Sequence, residues 1–138
     1  MNLEFVEKRP SPQEFNYLTS LVGWGYRDEK IILEALNNTI YSLCVYDNDK
    51  LIGYGRIIGD KTIFLHIHDV IVIPEYQNKQ IGTNIMKNLL NKVEEFKKAN
   101  PDIRVYLGAS KDREKFYEKF GFVPRPNDEI GAGMILKE

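Results

Sequence analysis

One cysteine and two histidines are all that this chain of 138 residues carries of the sulfur and imidazole side chains used for cross-linking or for binding transition metals. A single Cys44 excludes an intrachain disulfide framework, and its place in an apolar run predicts a buried core thiol. His66 and His68, two residues apart on one segment, do not make a metal site, so no metal is expected. Charge of one sign is also lacking. The net value is −1, and the Lys and Arg residues are spread rather than clustered, which argues against nucleic acid as a partner. No apolar stretch approaches the roughly 20 residues that span a bilayer, and the first residues lack a secretory apolar core, so no membrane association and a cytoplasmic location are expected. Neither repeats nor low-complexity segments occur. What remains, 43% hydrophobic and 28% charged residues, is ordinary globular composition, enough for one domain over 1–138.

The pattern along the chain is mixed. Leu3 and Phe5 suggest a first strand. Ser11-Pro12-Gln13-Glu14 reads as a helix start with a capping box, and Asp28 as the cap of a second helix carrying Ile31, Ile32, Ala35 and Leu36. Two strands, Thr39 to Tyr46 and Lys50 to Ile58, flank the turn Asp47-Asn48-Asp49. Thr62 to Ile73 is a long strand that a bulge would bend. Pro74 stops it for want of an N–H. A helix from about Gln80 to Ala99 follows, with Ile81, Ile85, Met86, Leu89, Leu90, Val93 and Phe96 at helical spacing. Then come a strand from Ile103 to Ala109, a short helix from Asp112 to Phe120 closed by Gly121, and a strand over Met134 to Leu136. This order implies an α/β or α+β single domain.

The sharpest feature is the junction Ile73-Pro-Glu-Tyr-Gln-Asn-Lys-Gln-Ile-Gly-Thr83. A loop between a buried strand and a helix start gathers unpaired N–H groups at the positive end of the helix dipole, an arrangement suited to phosphate oxygens. No Gly-x-x-x-x-Gly-Lys-Ser/Thr sequence is present, which disfavours a nucleoside-triphosphate enzyme. Gln77, Asn78, Lys79, Gln80, Ile81 and Gly82 resemble the Gln/Arg-x-x-Gly-x-Gly/Ala motif of the GCN5-related N-acetyltransferase (GNAT) family, with Gln80 standing where the pattern has its first Gly. Phe116-Tyr117-Glu-Lys-Phe-Gly121-Phe122 resembles the family's Phe-Tyr-x-x-x-Gly-Phe signature.

The resemblance implies an acyl-CoA N-acyltransferase-like fold: a mixed, mainly antiparallel sheet of six or seven strands, about four helices and a splayed central strand pair. It implies acetyl-CoA as acyl donor and an amine acceptor as partners, with a homodimer left open. By the same resemblance Gln77 to Thr83 would hold the pyrophosphate, and the backbone of Ile71, Val72 and Ile73 would run along the pantetheine arm. Lys79 reads equally as a cation near the phosphates or as a solvated surface lysine, and Lys87 reads better as the latter. Tyr117 would protonate the departing thiolate. Family members carry an Asn seven residues before this Tyr, and Ser110 stands there in this chain.

An amine must shed a proton before it attacks, so a base is needed. His68 and Asp69 are the candidates, and strand alternation puts His66 and His68 on one face and Asp69 on the other. Trp24, Tyr26, Tyr54 and Arg56 are candidates for the acceptor pocket, with Gly23-Trp-Gly25 a flexible aromatic-tipped loop and Gly131-Ala-Gly133 a second loop. The expected activity is acetyl transfer to a primary amine of a small molecule or peptide, by direct attack in a ternary complex. The alternative is a catalytically weak acyl-CoA-binding sensor or interaction domain.

Overall fold

A computed structural model of the chain describes residues 1–137. The elements run β1 (Leu3–Glu7), α1 (Pro12–Leu21), α2 (Glu29–Asn37), β2 (Tyr41–Asp47), β3 (Lys50–Gly59), β4 (Phe64–Val72), a 3-10 turn (Pro74–Tyr76), α3 (Ile81–Ala99), β5 (Arg104–Leu107) and α4 (Glu114–Glu118). The chain forms two compact units, residues 1–106 and residues 107 onward.

In the first unit the sheet order follows the sequence, β1-β2-β3-β4-β5, and the first three pairings are antiparallel. α3 lies on one face. Its apolar residues Ile81, Ile85, Met86, Leu89 and Val93 are buried, and Gly55 of β3 leaves room for them. A Cβ at Gly55 would sit 2.9 Å from Ile85 Cγ2 and 3.0 Å from Leu89 Cδ1. α1 lies on the other face, where Phe15 meets Tyr54 edge-on at 6.0 Å. α1 begins with the expected capping box: Ser11 Oγ accepts from Glu14 N–H (3.0 Å), and Ser11 N–H donates to Glu14 Oε1 (2.9 Å).

Two expectations are corrected. Five strands form among the described residues, not six or seven. The segment Met134–Leu136 is not a strand; its side chains are 93–95% exposed, so it has no buried face to hold a register. In α2, Ile31 points outward at 58% exposure while Ile32 and Leu36 are buried. No helix among the described residues is long and apolar enough to cross a membrane.

β4 is bulged. Tyr54 pairs with Ile71 and Arg56 with His68, so Gly55 alone faces both Asp69 and Val70. Asp69 takes φ 53°, a left-handed value that Asp tolerates better than most residues. Past the bulge, Ile73 N–H donates to Ile52 C=O (3.0 Å) and Ile71 stands opposite Tyr54. Bonded and non-bonded pairs alternate in an antiparallel ladder, so the N–H and C=O of Val72 face away from β3.

Candidate functional site

The connection from β4 to α3 is held open by specific bonds. The Gln77 side-chain amide donates to Val72 C=O (2.8 Å), folding the loop back onto the end of β4. Tyr76 N–H and Gln77 N–H close the 3-10 turn on Ile73 and Pro74 carbonyls. Asn78 (φ 63°) and Gln80 (φ 65°) are both left-handed. Alternation of this kind turns successive N–H groups toward one side.

α3 then starts without a side-chain cap and without an acidic residue in its first turn. α1 and α2 differ, with Ser11 and Asp28 capping and Glu14 and Glu29 in their first turns. The start of α3 therefore leaves its first N–H donors without a side-chain partner at the positive end of the helix dipole. Lys79 is exposed within the loop, and Lys87 is exposed on the helix. Lys97 and Lys98 sit in the last turn, where the dipole favours cations.

The helix expected from about Gln80 starts at Ile81 instead. Gln80 precedes the helix at φ 65°, ψ 11°, a conformation Gly takes without penalty, which explains why a Gly suits this motif position. Gln80→Gly is therefore expected to stabilise the protein, not weaken it. Relief of about 1–2 kcal/mol of left-handed strain exceeds the about 0.4–1 kcal/mol that glycine adds in unfolded-chain entropy. Urea melts of the two proteins check this, and a lower midpoint for Gln80→Gly would contradict it.

A second cluster lies on the sheet face that carries α1. Arg56 Nε donates to Asp69 Oδ2 (2.6 Å), with only 16% and 17% of the two side chains exposed. Arg56 Nη1 donates to Thr39 Oγ1 (3.0 Å) and reaches the Ala35 carbonyl (3.5 Å), where α2 ends without a basic residue of its own. The bulge thus brings Asp69 to the side of Arg56 and its cross-strand partner His68, in place of the opposite face that simple alternation gave.

His66 stacks on His68 with ring centroids 4.3 Å apart. Burial lowers the pKa of both imidazoles. His68 also lowers that of His66, while Asp69 raises and Arg56 lowers that of His68. His66 Nδ1 is buried without a hydrogen-bond partner among the described residues, which also disfavours charge there.

Two acceptor-pocket candidates are engaged within the fold. Tyr54 is a core residue at 0% exposure, its hydroxyl 2.7 Å from Ser42 Oγ and its pKa pushed up by burial. Arg56 is committed to Asp69 and the end of α2. Trp24 and Tyr26 are exposed, at 46% and 74%. Their loop is pinned, not loose. Asn16 bonds both N–H and C=O of Arg27 (3.0 Å each), Thr19 Oγ1 donates to Gly25 C=O (2.8 Å), and Trp24 N–H donates to Thr19 C=O (2.8 Å).

In the second unit, Tyr117 lies on α4, edge-on to Phe116 (5.0 Å) and Phe122 (6.5 Å). Burial raises its pKa, with Arg113 opposing. Its hydroxyl has no hydrogen-bond partner among the described residues. Ser110 is exposed, and its carbonyl accepts from Arg113 N–H (3.0 Å). The Gly131–Gly133 segment is tied through Gly131 C=O, which accepts from Arg125 Nε (2.8 Å). No group of three or more metal-ligating side chains occurs among the described residues.

Sequence reasoning missed one set of contacts. Asp47, read only as a turn residue, and Lys50, read only as the start of a strand, bond to Tyr76 and Glu75 just before the loop. Partners 25 and 29 residues apart leave no local signal.

Comparison with known proteins places this geometry. The family model for the acetyltransferase (GNAT) domain matches residues 26–136. An uncharacterized ycf52-like N-acetyltransferase of Prochlorococcus marinus is 31% identical over 117 residues, covering 82% of this chain and 63% of that protein. The chain thus spans less than two thirds of that relative's length. The crystal structure of a protein of unknown function and probable acetyltransferase from meticillin-resistant Staphylococcus aureus superposes with a TM-score of 0.87 at 27% identity, over 99% of both chains. Arabidopsis thaliana Naa50, solved with the bisubstrate analogue CoA-Ac-MVNAL, shares the fold at a TM-score of 0.72 and 19% identity, over 91% of this chain and 86% of that one. With a family model that spans most of its length, the chain belongs to the GNAT acetyltransferase domain family.

Proposed function

We propose that this chain is an acetyl-CoA-dependent N-acetyltransferase that moves an acetyl group to a primary amine of a small molecule or peptide. The carrying observation is the β4–α3 connection: an uncapped helix start behind two left-handed residues, at the end of a strand whose Val72 backbone faces away from β3. The N–H groups of Ile81, Gly82 and Thr83 suit the pyrophosphate, with Gln77, Asn78, Lys79 and Gln80 shaping the approach. The backbone about Ile71, Val72 and Ile73 suits the pantetheine amides, as an added strand would. The likeness of fold to a protein solved with a CoA-containing analogue supports the same donor.

The amine nitrogen attacks the thioester carbonyl carbon, and the C–S bond breaks. His68 takes the proton of the amine, directly or through water. Tyr117 gives its phenolic proton to the thiolate. Asp69, held by Arg56, biases His68. Ser110 is assigned a hydroxyl contact to the donor in place of the family's Asn. Trp24 and Tyr26 are assigned to the acceptor rim as exposed aromatics on a pinned loop.

Thermal melts test the donor. Acetyl-CoA at a hundredfold excess over its Kd should add about 2.7 kcal/mol of stability, and ATP should add none. No response to any CoA compound would sink the reading. A response without thiol release across a broad panel of amines would turn it toward an acyl-CoA-binding sensor.

A further inference from the structure

The loop that carries the proposed donor site is strained and exposed, yet it is not held by its own residues alone. Tyr76, one residue before Gln77, donates its hydroxyl to Asp47 Oδ2 (2.5 Å) at the end of β2. Glu75 pairs with Lys50 at the start of β3 (2.6 Å), and the Lys50 ammonium lies 5.7 Å from the centre of the Tyr76 ring. Asp47 is itself fixed. Its Oδ1 accepts from Asn2 N–H (2.9 Å), and Asn2 also bonds Asn48 through side chain (3.1 Å) and backbone (3.2 Å). Asn48 takes φ 55°, so the turn holds Asp47 in one orientation. The start of β1, the β2–β3 turn and the 3-10 turn are thus joined by a chain of polar contacts that ends at the donor loop.

We propose that Asp47 and Tyr76 are positioning residues for acetyl-CoA: their bond sets the angle at which the Gln77–Thr83 loop leaves β4. The inference rests on the acetyl-CoA reading. Two left-handed residues follow within four positions of Tyr76, and strained backbone of this kind persists only where the surrounding contacts hold it. The bond runs to a carboxylate, the stronger class of hydrogen bond, and both of its groups respond: Tyr76 lowers the pKa of Asp47 and Asp47 raises that of Tyr76. Neither side chain is buried in the core, so removing the bond loosens the loop without opening a cavity. The Lys50–Glu75 pair is more exposed, with 43% and 62% of its side chains accessible, and a smaller effect is expected from it.

The experiment compares the parent, Tyr76→Phe, Asp47→Ala and Asp47→Asn by calorimetric titration with acetyl-CoA and by steady-state kinetics. Tyr76→Phe and Asp47→Ala are expected to weaken binding and raise KM for acetyl-CoA by about threefold to tenfold, with kcat within twofold and the melting temperature little changed. Asp47→Asn keeps an acceptor for the Tyr76 hydroxyl and is expected to restore most of the affinity. A parent that binds while Tyr76→Phe binds equally well overturns this inference alone. Losses that appear in kcat as much as in KM, the mark of general loosening, overturn it too. A parent that binds no CoA compound overturns the acetyl-CoA reading and this inference with it.

Discussion

Tyr117→Phe is expected to lower kcat by about 10²–10⁴-fold while leaving acetyl-CoA affinity and the melting temperature nearly unchanged. The phenol is chemically ready for the role of acid. Burial raises its pKa above an ordinary tyrosine's, so it holds its proton throughout the neutral range, and its hydroxyl is not engaged by another described residue. Phenylalanine keeps the ring and its edge contacts with Phe116 and Phe122 and removes only the proton donor. The loss should grow with the basicity of the leaving thiolate. A donor analogue with a more acidic thiol needs less protonation and should recover part of the rate. Steady-state kinetics with both donors checks this; a variant within twofold of the parent would remove Tyr117 from the chemistry.

How far the sequence carried depended on the range of each interaction. The capping box of α1 was legible because Ser11, Pro12 and Glu14 are local partners whose geometry their spacing dictates. The buried face of α3 was legible because Ile81, Ile85, Met86, Leu89 and Val93 repeat at the helical period. The motif singled out the β4–α3 loop as a candidate donor site, but not the backbone at Gln80, since a glutamine gives no sign of a left-handed φ. The bulge hid the grouping of Asp69 with Arg56 and His68. One inserted residue reverses which side chains share a face, and only the opposing strand reveals it. Tyr54 was read as a pocket residue because a tyrosine in a strand suits a core and a rim equally; its burial is decided by Phe15 from α1 and its hydroxyl by Ser42 from β2. The Asp47–Tyr76 bond was invisible for the same reason of distance along the chain.

His68→Ala is expected to lower kcat/KM at neutral pH by about 10²–10⁴-fold and to remove the acid limb of its pH profile that belongs to the enzyme. The sign follows from the surroundings of the ring. Burial disfavours its charged form, so its pKa falls below the ordinary 6.5 and the imidazole is neutral, and able to accept a proton, at pH 7. As pH drops through that lowered value the base is protonated and the rate falls, so the limb lies below pH 6.5. The groups facing the ring do not act alike. Asp69 raises its pKa, Arg56 lowers it, and the stacked His66, itself lowered by burial, adds no charge near neutrality. Asp69→Asn removes the one contribution that raises the value and leaves the Arg56 charge uncompensated beside it. Both changes act in the same direction, so the acid limb of Asp69→Asn should move to lower pH. A base made of Asp69 itself predicts something else, the loss of the limb in Asp69→Asn and its survival in His68→Ala. Profiles of the parent and both variants, taken with an amine of low pKa so that the substrate's own titration stays below the range, separate the two. A limb unmoved in both variants would assign deprotonation to neither residue.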